Sequence, residues 1–173
     1  MKVMTNGPAK MGNHMLVKAV QLFGVPCTVN HFVHKEKQEA DSHIFIKRDP
    51  RNEVLSWLRF QHRPITRGSY ILGLREFEGK LSLIDYLAPF EPWLNDSDVL
   101  IVRFEDMLAD DSQLRRIASH VGVPFLDDAF DALEGGTVTW SGKHSDYSTI
   151  WSPEVEDVWI EIGGPALLQR WSY

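Results

Sequence analysis

Gly7, Pro8, Ala9, Lys10, Met11 and Gly12 form a short run with two glycines, a proline and one lysine, set between an apolar/polar stretch from Lys2 to Asn6 and a helical pattern. A glycine-containing turn that leads from a strand into a helix aims backbone N–H groups and the positive end of the helix dipole at one point, which suits phosphate or sulfate. Ala9, Lys10, Met11, Gly12, Asn13 and His14 are the candidates for that cradle. The run approximates the nucleotide-binding pattern GxxxxGK[ST], but Asn13 and His14 stand where the lysine and the magnesium-binding hydroxyl belong. The lysine lies inside the loop instead, as Lys10, where it could reach an oxygen bridging two phosphorus or sulfur centres.

A second set lies in HIFIKRDPRNEVLSW. Arg48 ends an apolar run, Asp49-Pro50 turns the chain, and Ser56 follows Arg48 by eight residues. A guanidinium fork suits bidentate phosphate binding, and a hydroxyl adds one neutral donor. His14, His31 and His34 bring imidazoles, the commonest general acid–base side chain, to the same part of the sequence.

The elements that must position these residues alternate strand and helix. Lys2 to Asn6 reads as a strand, and Met15, Leu16, Ala19, Val20 and Phe23 recur at helical spacing until Gly24 and Pro26. Cys27 to Val33 is β-branched and aromatic enough to read as a strand, and His43 to Asp49 reads as another. Asp49 caps a helix with Pro50 at its first position, whose apolar side holds Val54, Leu55, Leu58 and the stem of Arg59, ending before Pro64. Gly68 to Asp98 is less legible, with one helix in KLSLIDYLAPF. Val99 to Phe104 is the most strand-like run, followed by a helix carrying Leu114, Ile117, Ala118 and Val121. A helix near Asp127 to Leu133, a loop GGTVTWSGKHSDYS, and a helix capped by Ser152 with Val155, Val158, Trp159 and Ile162 on its buried side complete the chain. Repeated strand-then-helix order implies a parallel sheet, and ligands of such sheets collect beyond the carboxyl ends of the strands.

Composition bounds the rest. The 173 residues suit one domain spanning 1–173, and 43% hydrophobic with 24% charged residues is the balance of a globular protein. A formal net charge of −6 argues against a nonspecific nucleic-acid surface, so an anionic ligand must meet a local basic cluster. The single cysteine, Cys27, precludes an intrachain disulfide, and no Cys/His metal spacing occurs. No apolar run approaches the roughly 18 residues of a membrane span, and the start lacks a signal-peptide pattern, so a cytoplasmic location is expected.

The segment AKMGNHML resembles the PKSGTTWL loop of the cytosolic and carbohydrate sulfotransferases, with Lys10 and Gly12 matching and Asn13 and His14 at the threonine positions. KRDPRNEVLS resembles the segment typified by RDPRDVLVS, whose arginine and serine hold the 3'-phosphate of the cofactor; Arg48 and Ser56 have that spacing. RFEDML resembles the later YEDL segment, with Phe104 for the tyrosine in a place to contact adenine. TWSGKHSDYSTIWSPE resembles the RKGxxGDWK loop and the TPE helix start that follows it, but Trp140 and Ser141 replace the basic pair before Gly142, leaving Lys143 to supply the cationic contact.

The resemblance implies a P-loop-like three-layer α/β fold with a central parallel β-sheet flanked by helices. It implies transfer of a sulfuryl group from 3'-phosphoadenosine-5'-phosphosulfate (PAPS) to a hydroxyl or amine of a small-molecule or carbohydrate acceptor, leaving adenosine 3',5'-bisphosphate, with no metal. Lys10 would serve the leaving group, and His31 stands where the family places its base in a segment like KTHLP, with His34 in reserve. His14 would act as a donor toward the 5'-side sulfate. The chain is shorter than typical members, and homo-oligomerisation is one way to complete the acceptor pocket. A P-loop kinase or hydrolase and a non-catalytic adenosine 3',5'-bisphosphate-binding module are the alternatives.

Overall fold

In the computed structural model, which describes residues 1–77, 79, 81–133 and 146–173, the order of elements is β1 (Val3–Asn6), α1 (Asn13–Leu22), β2 (Ser42–Lys47), α2 (Pro50–Phe60), α3 (Arg67–Arg75), α4 (Leu83–Leu87), β3 (Val99–Arg103), α5 (Phe104–Met107), α6 (Ser112–His120), α7 (Ala129–Leu133), α8 (Pro153–Glu161) and α9 (Gly164–Trp171). Short 3-10 turns lie at His34–Glu36, Ala88–Asn95 and Tyr147–Thr149. Among the described residues the sheet has three strands in the order β1-β2-β3. Both pairings are parallel, with Asn6 opposite Phe45 and Lys47 opposite Arg103. The α/β architecture implied by the strand-helix alternation is therefore present. β2 is central, and Ile44, Phe45 and Ile46 are buried, as a strand covered on both faces requires.

The described residues group into two compact units. The first, Met1–Arg48 with Pro92–Lys143, contains the sheet and α1, α5, α6 and α7. Leu16, Ala19 and Val20 of α1 and Leu114, Ile117 and Ala118 of α6 are buried, and α1 packs on β1, α6 and α7. The apolar spacing expected of both helices thus faces their core. Trp93 lies stacked on Phe45, with ring centroids 5.9 Å apart.

The second unit, Asp49–Glu91 with His144–Tyr173, is helical. α2 starts as expected, with Asp49 accepting the Arg51 N–H at 2.9 Å and Pro50 in the first turn. α3 packs against α2 and α8. Gly73 permits close approach there, since a Cβ at that position would lie 2.7 Å from Val54 Cγ1. Ser152 caps α8 by accepting the Val155 N–H at 3.4 Å.

Three local expectations need correction. Residues Cys27 to Val33 are not a strand; they lie beside β1 but are held mainly by side chains, with Thr5 Oγ1 donating to the Thr28 carbonyl at 2.8 Å and Asn30 Nδ2 donating to the Thr5 carbonyl at 3.1 Å. Arg59 is exposed and does not line the buried side of α2, where Trp57 and Glu53 are found instead. α3 and α9 were not distinguished in the sequence: α3 begins at a Thr66 capping box within the poorly patterned stretch, and α9 begins at Gly163-Gly164-Pro165 directly after α8.

Candidate anion-binding site at the carboxyl ends of the strands

Each parallel strand ends at a residue singled out by its chemistry. Gly7 follows β1, Arg48 follows β2 and Phe104 follows β3, all within the first unit. The loop after β1 is tight. A Cβ on Gly7 would lie 2.7 Å from the Ile46 carbonyl oxygen and 2.8 Å from Asn13 Oδ1. Gly12 has φ +103°, and a Cβ there would collide with the Phe104 ring. Lys10 itself takes the left-handed conformation at φ 67°, an uncommon choice for a lysine, with a cost on the order of 1 kcal/mol that the surrounding loop must offset.

Within this loop, Met11 sends its side chain into the core and its N–H to the Pro8 carbonyl at 3.4 Å. Asn13 is buried and donates through Nδ2 to the same carbonyl at 2.7 Å, while its Oδ1 has no hydrogen-bond partner among the described residues. Among the described residues no side chain caps α1. Its first N–H groups therefore lack intrahelical partners by geometry and face the loop with the positive end of the dipole. Ala9 and Lys10 are half-buried at the loop's crown.

Basic side chains gather at the same strand ends. Arg48 is 4% exposed, and its guanidinium carbon lies 4.5 Å from the centre of the Phe104 ring, a cation-π contact that fixes the fork's plane. Lys47 is buried beside it in sequence and opposite Arg103 in the sheet. Burial first, and then the Arg103 charge, lower the Lys47 pKa, while Glu105 and Asp106 act the other way. Lys47 and Arg103 were not singled out in the sequence. The signal available was that each directly follows an apolar run, and the pairing of the two runs is a tertiary fact.

The histidines separate by environment. His31 is exposed and its Nδ1 lies 2.8 Å from the Gly7 carbonyl oxygen. Because a carbonyl only accepts, Nδ1 is the donor in that bond, and in the neutral ring Nε2 then keeps its lone pair. His14 lies at the start of α1, and burial, then the charges of Lys10 and His31, lower its pKa. Lys10 and His31 are thus both near enough for their charges to act on His14. His34 is engaged elsewhere: its Nε2 pairs with Asp96 at 2.9 Å, and its ring meets Trp93 edge-on at 5.0 Å. Lys37 joins the same Asp96 carboxylate at 2.8 Å, so that these two donors hold the Asp96 carboxyl well below the usual carboxylate range.

Ser56 lies half-buried on α2, in the second unit. Trp140, Ser141, Gly142 and Lys143 lie outside the described residues. The chain that follows them is anchored within the second unit: the Tyr147 N–H donates to Asn52 Oδ1 at 2.9 Å, and the Arg51 guanidinium carbon lies 4.1 Å from the centre of the Tyr147 ring. A surface cleft lined by Lys2, Lys37, Asp41, His43 and Asp98 opens at the amino ends of the strands, the opposite edge from the glycine loop. Among the described residues, no group of three or more His, Cys, Asp or Glu side chains could hold a metal ion, and no helix is long and apolar enough to cross a membrane.

The class defined by these features is an α/β chain whose first strand-to-helix loop lies at the same sheet edge as its strand-end cations. Among solved structures, a mouse sulfotransferase, SULT7A1, crystallised in complex with PAP, is similar to it with a TM-score of 0.72 and 16% sequence identity, over 93% of this chain and 82% of that one. The fold is accordingly that of a sulfotransferase structure, with its parallel sheet flanked by helices. No family profile and no curated protein sequence matches the chain.

Proposed function

We propose that the chain is a sulfotransferase that uses PAPS as donor and a hydroxyl or amine of a small-molecule or carbohydrate as acceptor. The observation that carries the reading is the loop from Gly7 to Gly12. It has two positions where a Cβ would collide, a lysine in the left-handed conformation, and an uncapped helix start, all beside an arginine held over Phe104. This donor set is cationic and rich in N–H groups, and so fits a doubly phosphorylated nucleotide. The fold shared with a PAP-bound sulfotransferase is consistent with it.

When bound, PAPS supplies the sulfuryl group: its sulfur–oxygen bond to the phosphate breaks as the bond to the acceptor oxygen or nitrogen forms, and the departing phosphate keeps the electron pair. The chain's part is electrostatic and positional. The backbone of Ala9 to Asn13 and the α1 dipole hold the 5'-phosphate, and Lys10 stabilises negative charge growing on the leaving oxygen. Arg48 grips the 3'-phosphate, and Phe104 orients Arg48 and offers a ring to adenine. His31 takes the acceptor proton at Nε2, and His14, whose protonation Lys10 and His31 oppose, serves as a neutral donor. For Ser56 as a second ligand of the 3'-phosphate, and for residues 140–143, the support is the sequence resemblance alone.

The test pairs calorimetric titration with transfer of radiolabelled sulfate to an acceptor panel. Adenosine 3',5'-bisphosphate should bind and ATP should bind much more weakly. Arg48→Ala should weaken adenosine 3',5'-bisphosphate by about 10- to 100-fold, the loss of one charge-assisted contact. Lys10→Ala should lower turnover by about 100-fold or more with affinity changed only a few-fold. Preference for ATP with a need for Mg²⁺ would favour a kinase or hydrolase, and tight bisphosphate binding without transfer to any acceptor would favour a binding module.

A further inference from the structure

Three consecutive residues at the end of β1 hold the segment that carries His31. Thr5 bonds to Thr28 and Asn30, as described above. Asn6, 2% exposed, makes a two-point clamp: Nδ2 donates to the Phe32 carbonyl at 2.6 Å, and Oδ1 accepts the Phe32 N–H at 2.9 Å. Gly7 accepts from His31 at 2.8 Å. The Phe32 carbonyl also accepts Trp93 Nε1–H at 3.0 Å. Asn6 is thus bonded to both backbone polar groups of Phe32, the residue next to His31, while its own backbone leads straight into the anion-binding loop. The two hydrogen bonds use the amide's distinct ends, one donor and one acceptor, which an ionised carboxylate cannot supply together.

We propose that Asn6 is a positioning residue: by clamping Phe32 to the end of β1 it sets His31 against the Gly7 carbonyl, and so selects the tautomer whose Nε2 is free to take the acceptor proton. The role of that proton transfer rests on the sulfuryl-transfer reading; the clamp and the tautomer do not. The device links two parts of the site mechanically. The strand that aims the glycine loop also aims the base, so the distance between the two is set by one buried side chain and not by the long connection from α1 to β2.

Two measurements test this. Long-range nitrogen–proton correlation spectra of the wild-type protein, recorded above the histidine titration, should show His31 protonated at Nδ1. In Asn6→Asp, which keeps the acceptor but sets a carboxylate oxygen against the Phe32 carbonyl, a substantial share should move to the Nε2-protonated form. Turnover in that variant should fall by about 100-fold, the scale of a misplaced reacting group, with KM for PAPS and affinity for adenosine 3',5'-bisphosphate within about threefold of wild type. An Nε2-protonated His31 in the wild type overturns the proposal without need of any variant. So does a variant with unchanged tautomer and turnover, or one that loses bisphosphate affinity in proportion to turnover, because the loop itself would then be damaged. If Asn6→Asp shifts the tautomer but His31→Ala retains full transfer, the clamp stands and the assignment of His31 as the base falls.

Discussion

Replacing Gly12 by alanine perturbs the loop after β1 in two separable ways. The backbone there has φ +103° and ψ 21°, a region where an L side chain costs about 1 to 2 kcal/mol. The added methyl also runs into the Phe104 ring, and forcing a methyl into filled space costs about 1 to 3 kcal/mol more. The whole penalty is therefore about 2 to 5 kcal/mol. Only the second part depends on Phe104. In a Phe104→Ala background the backbone strain and the 3.2 Å approach to Ile46 Cδ1 persist while the collision with the ring is gone, so Gly12→Ala should cost about 1 to 3 kcal/mol less there. Urea unfolding of the four proteins, analysed by linear extrapolation, measures this coupling. A coupling under about 0.5 kcal/mol, the usual scatter for independent sites, would mean that the loop and the end of β3 do not touch. The packing that orients Phe104 beneath Arg48 would then be wrong as well.

Two further outcomes follow from the electrostatics. Because Lys10 is one of the charges that lower the His14 pKa, Lys10→Ala should raise it, as read from the imidazole resonances across a pH series; an unchanged or lower value would separate the two residues. The Asp96 carboxyl is depressed by Lys37 and His34, so the stability it contributes is present above the ordinary aspartate value of about 4 and is lost as pH falls through the lower folded value. Wild type should therefore exceed Asp96→Asn in chemical denaturation at neutral pH, with the gap narrowing only below about pH 4; a gap unchanged at the acid limit of folding would refute the ion-pair account.

Much of the local structure was legible because it depends on neighbours in sequence. The Asp49-Pro50 start of α2, the Ser152-Pro153 start of α8 and the apolar spacing of α1 and α6 are short-range signals that the structure reproduces. Cys27 to Val33 misled because β-branched and aromatic residues mark a segment that lies along a sheet edge, whether backbone or side chains make the bonds. Here Thr5, Asn6 and Asn30 supply them. The capping box of α3 was present at Thr66 and Ser69, but its buried face is sparse, with Tyr70, Gly73 and Leu74, and gave little periodicity to read.

By itself, the sequence determined which groups are available: one lysine inside a glycine loop, an arginine at a strand end, and histidines nearby, in the order that the strand-helix alternation turns into a parallel sheet. Tertiary structure alone decided which of them meet. Parallel pairing brings Gly7, Arg48 and Phe104 to one edge because all carboxyl ends of such a sheet share a side. It also divided two histidines three residues apart, giving His34 to Asp96 and His31 to the Gly7 carbonyl. A hydrogen bond is made only where partners come within about 3 Å, and residues far apart in the chain reach that distance only when the whole unit is folded.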